Sequence, residues 1–215
     1  MTMDFGQQDG SVCISMSGYT NEILQLYSVT STATSPATPK LFVIDTDSPC
    51  LPEPKRQLFH SAVAKLLYLA KRTRPELLPL ISFLASRVTA ATEDDMSKLR
   101  HGLSYLKASP DRGIVLKTTD PRQVLAYIDA SFAVHADMKS HTAVIITLGA
   151  GPIYVESVKQ KLVSRSSTEA ELIALSDGIT HAIWAREWLI CQGYTSVPPV
   201  IVYQNNLSTK MMKKN

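Results

Sequence analysis

Apolar residues follow a helical period in the first half of this chain and a strand-like period after about residue 113. Leu58, Val63, Leu66, Leu67 and Ala70 recur at spacings that place them on one face of a first helix. A second helix is expected from Thr73-Arg74-Pro75-Glu76, a capping-box pattern with proline in the first turn, and Pro79 should kink it because a backbone donor is lost there. A third begins at Thr92-Glu93-Asp94-Asp95, whose acids complement the helix dipole, and carries Met96, Leu99, Leu103 and Leu106 at three-four-three spacing. Ser109-Pro110-Asp111-Arg112-Gly113 ends it in a turn. Beyond lie three short segments rich in β-branched residues, 123–129, 143–148 and 153–158. A long helix from about Ser167 to Cys191 follows, then the break at Pro198-Pro199 and a last strand over 200–203. Ahead of all this, MTMDF and SVCISM flank Asp9-Gly10 and read as a β-hairpin, and Thr20 is placed to cap a short helix ending near Tyr27. Residues 29–40, VTSTATSPATPK, lack the apolar content to bury and read as an extended linker.

Three strands, a helix and a further strand make an α/β class with a mixed sheet in the second half. The chain divides into 1–54 (hairpin plus Ser/Thr/Pro-rich linker), 55–120 (helical) and 121–215 (α/β).

Composition is that of an ordinary globular protein: 215 residues, 45% hydrophobic and 19% charged. No run of about 18 apolar residues is present, so no membrane span is expected, and the first residues lack the basic-then-apolar order of a secretory signal. Cys13, Cys50 and Cys191 have no metal-binding spacing, and an odd, scattered set fits buried thiols in a reducing, intracellular compartment (cytoplasm or nucleus). Charge changes the picture more. Residues 1–54 carry one lysine against six acids, net −5, whereas 55–215 carry 21 bases against 13 acids, net +8. A basic remainder suits a polyanion such as nucleic acid, and equally a solvated charged surface.

The candidate chemistry lies at the ends of the second-half elements. Asp129 closes the apolar run Val124-Leu125-Ala126-Tyr127-Ile128, where a carboxylate needs a partner to offset desolvation. Glu171 falls in the first turns of the long helix, and Asn205 follows the last strand. Were these ends to converge, the three positions would share a site. Paired carboxylates hold Mg²⁺ or Mn²⁺, hard cations that prefer oxygen and that in pairs activate water and stabilise a leaving oxygen in phosphodiester cleavage. By spacing alone, Glu171 fits a capping or salt-bridge role as well.

Longer motifs carry a resemblance. The run Phe59-His60-Ser61-Ala62-Val63-Ala64-Lys65-Leu66-Leu67-Tyr68-Leu69-Ala70-Lys71-Arg72-Thr73-Arg74-Pro75 resembles the block after the polymerase palm in copia-type retrotransposon polyproteins. Ser166-Ser167-Thr168-Glu169-Ala170-Glu171-Leu172-Ile173-Ala174-Leu175-Ser176 resembles the same family's RNase H signature, and Tyr127-Ile128-Asp129-Ala130-Ser131-Phe132-Ala133 its first acidic strand. Gly151-Pro152-Ile153 with Lys159-Gln160-Lys161 is similar to the hairpin and strand leading into the helix. The resemblance runs from about Met1 to Asn215 in the family's order. It implies the end of a palm hairpin and a linker over 1–54, a thumb or connection segment over 55–120, and an RNase H-like domain over 121–215 that the family pattern would continue further. It also implies cleavage of the RNA strand of an RNA–DNA hybrid, with metal carboxylates at Asp129 and Glu171 and Glu169 as capping partner of Ser166. The family's third carboxylate follows the last strand, where this chain has Asn205, and its fourth lies downstream of Asn215; the polymerase Tyr-x-Asp-Asp lies upstream of Met1. Two charges where the family provides four predict weak ion binding and weak or lost cleavage.

The resemblance also places Arg165, Ser166, Ser167 and Thr168, whose plain role is capping, against a hybrid's sugar or phosphate, and Lys65, Lys71, Arg72 and Arg74 against backbone phosphates, in sequence-blind, salt-dependent contacts. The partner is then a hybrid or other nucleic acid, with the rest of a polyprotein or a second chain completing the site. A non-catalytic nucleic-acid binder and a degenerate fragment without a selected role are the alternatives. The five histidines lack ligand spacing, although His135 and His141 lie near Asp129 and border the expected substrate side. Trp184 and Trp188, four apart on the long helix, read as a core stripe rather than a base-stacking platform.

Overall fold

The second and third helices of the first half start where a proline removes a backbone donor, and the fourth starts where a side chain caps one. The computed structural model describes residues 1–6, 9–118 and 120–204. Strands β1 (Thr2–Asp4) and β2 (Val12–Ser15) flank Gly10, which takes a left-handed φ of 74°. Helix α1 spans Ser17–Leu26, so Thr20 lies buried inside it rather than at its start, and Met16 holds the cap position without a side-chain hydrogen bond. Residues 29–40 do not extend freely. They lie along the fourth helix through Ala33 N to Ser104 O (3.1 Å), a Ser31–Ser104 hydroxyl contact (2.7 Å), and Lys107 Nζ donating to Val29 O and Thr30 O.

Helix α2 (Glu53–Ala70) buries Phe59, Ala62, Val63, Leu66, Leu69 and Ala70, a face turned from the expected one: Leu58 and Leu67 are exposed. The next segment opens as a 3₁₀ turn, Pro75–Leu77, and becomes α3 over Leu78–Ala85. The Thr73–Glu76 capping box does not form; Arg74 holds the cap position and Thr73 Oγ1 is buried without a partner. Pro79 causes no mid-helix kink because α3 starts just before it, where its missing N–H is tolerated. Helix α4 (Glu93–Ala108) has a reciprocal capping box, with Thr92 N donating to Asp95 Oδ2 (2.9 Å) and Asp95 N to Thr92 Oγ1 (3.4 Å). Strand β3 (Ile114–Leu116) follows, and β1, β2 and β3 pair in that order in a three-stranded sheet.

The second sheet is built from β4 (Leu125–Ser131), β5 (His141–Thr147), β6 (Pro152–Lys159) and β7 (Ile201–Tyr203), with α5 (Ser167–Cys191) between β6 and β7. Its order is β6-β5-β4-β7, antiparallel except for the parallel β4–β7 pair. Val124, Ala126, Ile128, Val144 and Ile146 point from one face to Ala174, Ala182, Ala185 and Leu189 of α5. That helix face carries mostly small residues, which lets the helix sit close: a Cβ on Gly178 would fall 2.9 Å from Ile128 Cδ1 and Val144 Cγ2. Trp184 and Trp188 are on the other side, 69% and 48% exposed, so the expected core stripe is instead the alanine and glycine stripe.

The described chain separates into two compact units, one of Met1–Met3 and Ile14–Ile114, the other of Asp4–Cys13 and the residues from Val115 on. The first is centred on Phe59, Leu66, Leu69, Leu77, Ile81, Leu84 and Leu106, all fully buried. No helix among the described residues is long and apolar enough to cross a membrane. All three cysteines are free; Cys50 and Cys191 are exposed, against the expectation of buried thiols.

Candidate functional site

Alternation along β4 aims Ala126, Ile128 and Ala130 toward the helix side and Tyr127, Asp129 and Ser131 toward the other. Asp129 is exposed on the sheet, paired across to Ala143 of β5. Glu171 is the fifth residue of α5 and is 5% exposed. The close helix packing and the strand end bring these two carboxyl groups into side-chain contact. Burial pushes the Glu171 carboxyl above the usual carboxylate range. A hydrogen bond from Gln204 pulls it down, the charge and contact of Asp129 push it up again, and the Ala130 backbone lowers it. Two acids in contact, one of them buried, are disfavoured unless a proton or a cation lies between them.

Gln204 is a site residue that the sequence pattern did not single out. It follows β7 directly, is 7% exposed, and donates from Nε2 to Glu171 Oε2 (3.2 Å) and Glu171 O (3.3 Å). Its Oε1 is sealed from solvent and has no hydrogen-bond partner. The register ends at Tyr127↔Tyr203, so Gln204 comes one residue past the end of β7, on the side of Ile128. A polar residue between an apolar strand and Asn205 was the available signal. Asn205 itself lies outside the described residues. Beside the acids, Tyr127 and Tyr203 stack at 4.7 Å between ring centroids, and with Asp129, Ala143, Ile145 and Gln204 they line a hollow of about 590 Å³.

At the start of α5, Ser166 caps the helix by accepting from Glu169 N (3.2 Å), while Glu169 Oε2 accepts from Arg165 N (2.6 Å) rather than from Ser166 N. Arg165, Ser166 and Ser167 are exposed and Thr168 is half-buried, so this turn presents a guanidinium and hydroxyls to solvent. Gln160 ties the same turn to the sheet, donating to Ala170 O (2.9 Å) and Thr142 Oγ1 (3.0 Å).

His135 and His141 are buried rather than bordering an open surface. His135 Nε2 lies 3.0 Å from His141 Nδ1, and His141 Nε2 lies 2.7 Å from Ser157 Oγ. Burial pushes His141 down to about 4, with the His135 charge adding to it; burial and then the Lys159 charge lower His135. Neutral rings suit this chain, since each then has one donor and one acceptor.

In the first unit, Lys65 and Arg72 flank an aromatic pair, exposed Tyr68 and half-buried Tyr19. Arg72 Cζ lies 3.7 Å over the Tyr68 ring, Lys65 Nζ lies 6.0 Å from the Tyr19 ring, and the two rings meet edge to face. Lys71 is exposed beside them. Arg74 is different. It is fully buried, with Nε on Glu76 Oε1 (2.6 Å), NH1 on Ser109 O (2.8 Å) and NH2 on Ser109 Oγ (3.0 Å). The expectation of a phosphate contact there is corrected: its guanidinium closes the turn after α4.

Glu171 meets the Asp129 carboxylate and the Gln204 amide, which donates to it through Nε2 while its own carbonyl oxygen lacks a donor. That composition suits a hard divalent cation. Among the described residues no group of three His, Cys, Asp or Glu side chains is placed to hold a metal ion.

Comparison with known proteins returned no matching family model and no matching solved structure. Among curated proteins, the chain is 34% identical over 166 residues to the retrovirus-related Pol polyprotein from transposon RE2 of Arabidopsis thaliana. That match covers 77% of this chain and 11% of the relative. It is 31% identical over 180 residues to the corresponding polyprotein from transposon RE1 of the same plant, covering 78% and 12%. It is 29% identical over 125 residues to the secreted RxLR effector protein 161 of Plasmopara viticola, covering 58% of this chain and 88% of that protein. The chain thus spans about a tenth of the length of the two transposon polyproteins it matches.

Proposed function

Given that this chain is homologous to a segment of the Pol polyprotein of copia-type transposons, we propose that its second unit is an RNase H-like domain whose inherited reaction is metal-dependent hydrolysis of RNA in an RNA–DNA hybrid, weakened by Asn205. One observation carries the reading: Asp129 and Glu171, 42 residues apart in sequence, have their carboxyl groups in contact, and Glu171 is buried. The sheet order β6-β5-β4-β7 with α5 across one face supports the fold assignment.

A Mg²⁺ or Mn²⁺ pair held there would activate water and stabilise the leaving oxygen of the scissile phosphate. Asp129 offers an exposed carboxylate on the open side and Glu171 a buried one, oriented by Gln204 and the Ala130 backbone. Arg165 and the hydroxyls of Ser166, Ser167 and Thr168 supply positive charge and donors for the substrate backbone at the same helix end. Asn205 keeps an oxygen and lacks the charge of the aspartate expected at that place.

The test is cleavage of a labelled hybrid in Mg²⁺ and in Mn²⁺. Wild type should be slow or inactive, Asn205→Asp should gain about tenfold or more, and adding Asp129→Asn should remove the gain. Robust wild-type turnover abolished by Asp129→Asn would overturn the weakening. Turnover indifferent to Asp129 would overturn the site.

The net charge of +8 over 55–215 favours a second reading, a nucleic-acid binder without catalysis. Gel shifts on hybrid and duplex DNA at low and moderate salt test it, and absence of binding at low salt rules it out.

A further inference from the structure

We propose that Gln204 is a third oxygen ligand of the Asp129–Glu171 cation site, its amide carbonyl serving beside the two carboxylates. The inference rests on the cation site of the nuclease reading and adds a neutral residue to it.

Position comes first. In the parallel β4–β7 pair the register ends at Tyr127↔Tyr203, so Gln204 comes one residue past the end of β7, on the side of Ile128, which faces α5. Its side chain therefore reaches the start of the helix, where Nε2 meets both the carboxylate and the backbone carbonyl of Glu171 at 3.2 and 3.3 Å. Bonding comes second. Those contacts use the two N–H donors and leave Oε1 sealed from solvent with nothing to accept from. Four such unpartnered side-chain atoms occur among the described residues, on Thr73, His101, Gln160 and Gln204. Of these, Gln204 is the one whose side chain bonds an acidic side chain. A buried carbonyl oxygen without a donor is unfavourable and rare. Chemistry comes third. Amide carbonyls join carboxylates as ligands of hard divalent cations, and a neutral oxygen adds a ligand without adding repulsion to two acids already in contact. A role limited to donating toward Glu171 would leave Oε1 unexplained.

The test is Mn²⁺ binding by the full chain, read from the electron paramagnetic resonance of free Mn²⁺, with thermal unfolding checking each variant. Wild type should bind, and Asp129→Asn should lose most of the affinity. Gln204→Leu should bind about tenfold more weakly. Gln204→Glu is the deciding variant: a ligand carboxylate tightens binding, whereas a residue needed only to donate to Glu171 would weaken it. In the wild type, double resonance on protein carrying ¹³Cδ-labelled glutamine should show a ¹³C coupling to bound Mn²⁺, a readout independent of any variant's folding. Weakening in Gln204→Glu, unchanged binding in Gln204→Leu or an absent ¹³C coupling overturns the assignment and leaves the nuclease reading intact if Asp129→Asn still abolishes binding. A wild type that takes up no Mn²⁺ overturns both.

Discussion

His141 and Glu171 are both buried titratable groups of the second unit, and they move stability in opposite directions with pH. An unfolded histidine takes its proton near 6.5, whereas folded His141 takes it only near 4. Between those values the unfolded chain holds the extra proton, so folding stability falls as pH drops from about 6.5 to about 4. The full effect is of order 3 kcal/mol. Urea unfolding at pH 7, 5.5 and 4.5 should show this slope in the wild type and a shallower one in His141→Gln, and equal slopes would show that the His135–His141–Ser157 chain does not titrate as described. For Glu171 the folded carboxyl is raised by burial and by Asp129, so its charged form opposes folding at neutral pH and acid relieves it. Glu171→Gln should therefore stabilise the chain by about 1 kcal/mol at pH 7, with the gain shrinking toward pH 4. A destabilised Glu171→Gln in thermal unfolding would mean that Glu171 serves as a structural cap, as its position in the helix first suggested.

At the scale of elements, what was legible in the sequence depended on whether the signal was local. The start of α4 at Thr92-Glu93, the turn at Gly10 and the bounds Ser167–Cys191 of the long helix are set by neighbours in sequence and could be read from it. The buried face of α2 could be read only in part: Val63, Leu66 and Ala70 are buried as the period predicts, but Leu58 and Leu67 satisfy the same period and are exposed, and tertiary packing buries Phe59, Ala62 and Leu69 instead. The Thr73–Glu76 motif failed because Arg74 takes Glu76 as its partner, an arrangement that needs the turn after α4. The two tryptophans misled for a related reason: bulk suggests burial, but α5 meets its sheet through Ala174, Gly178, Ala182 and Ala185. Asp129 and Glu171 could be picked out from the sequence, but their meeting depends on that close approach. Gly178→Leu tests the approach, since its side chain would have to displace Ile128 and Val144. It should cost about 1–3 kcal/mol in chemical unfolding. The same variant should also weaken Mn²⁺ uptake. A variant as stable as wild type would show that the helix stands off the sheet.

At the scale of the whole molecule the question is which cations are free to meet a polyanion. The basic excess beyond residue 54 is a sum, and the sum hides two kinds of residue. Arg74 adds to the count yet is fully buried, with its donors given to Glu76 and Ser109, whereas Arg165 is exposed at the start of α5 and Arg72 is exposed over Tyr68. Only the second kind releases counterions when a nucleic acid binds, so only it contributes to the dependence of affinity on salt. Measured on an RNA–DNA hybrid from 50 to 200 mM salt, Arg72→Ala, Lys65→Ala and Arg165→Ala should each weaken binding and reduce the magnitude of the logarithmic salt slope by about 1 for every phosphate that is no longer neutralised. Arg74→Met should leave the slope unchanged while lowering stability by about 2 kcal/mol or more, because Glu76 and the Ser109 carbonyl are left without their partner. If Arg74→Met lowers the slope while the other three variants do not, phosphate reaches the turn after α4 and the division between buried and accessible cations is wrong. If none of the four moves it, the basic excess is a solvated surface and the second unit's acids stand without a polyanion track of this chain's making.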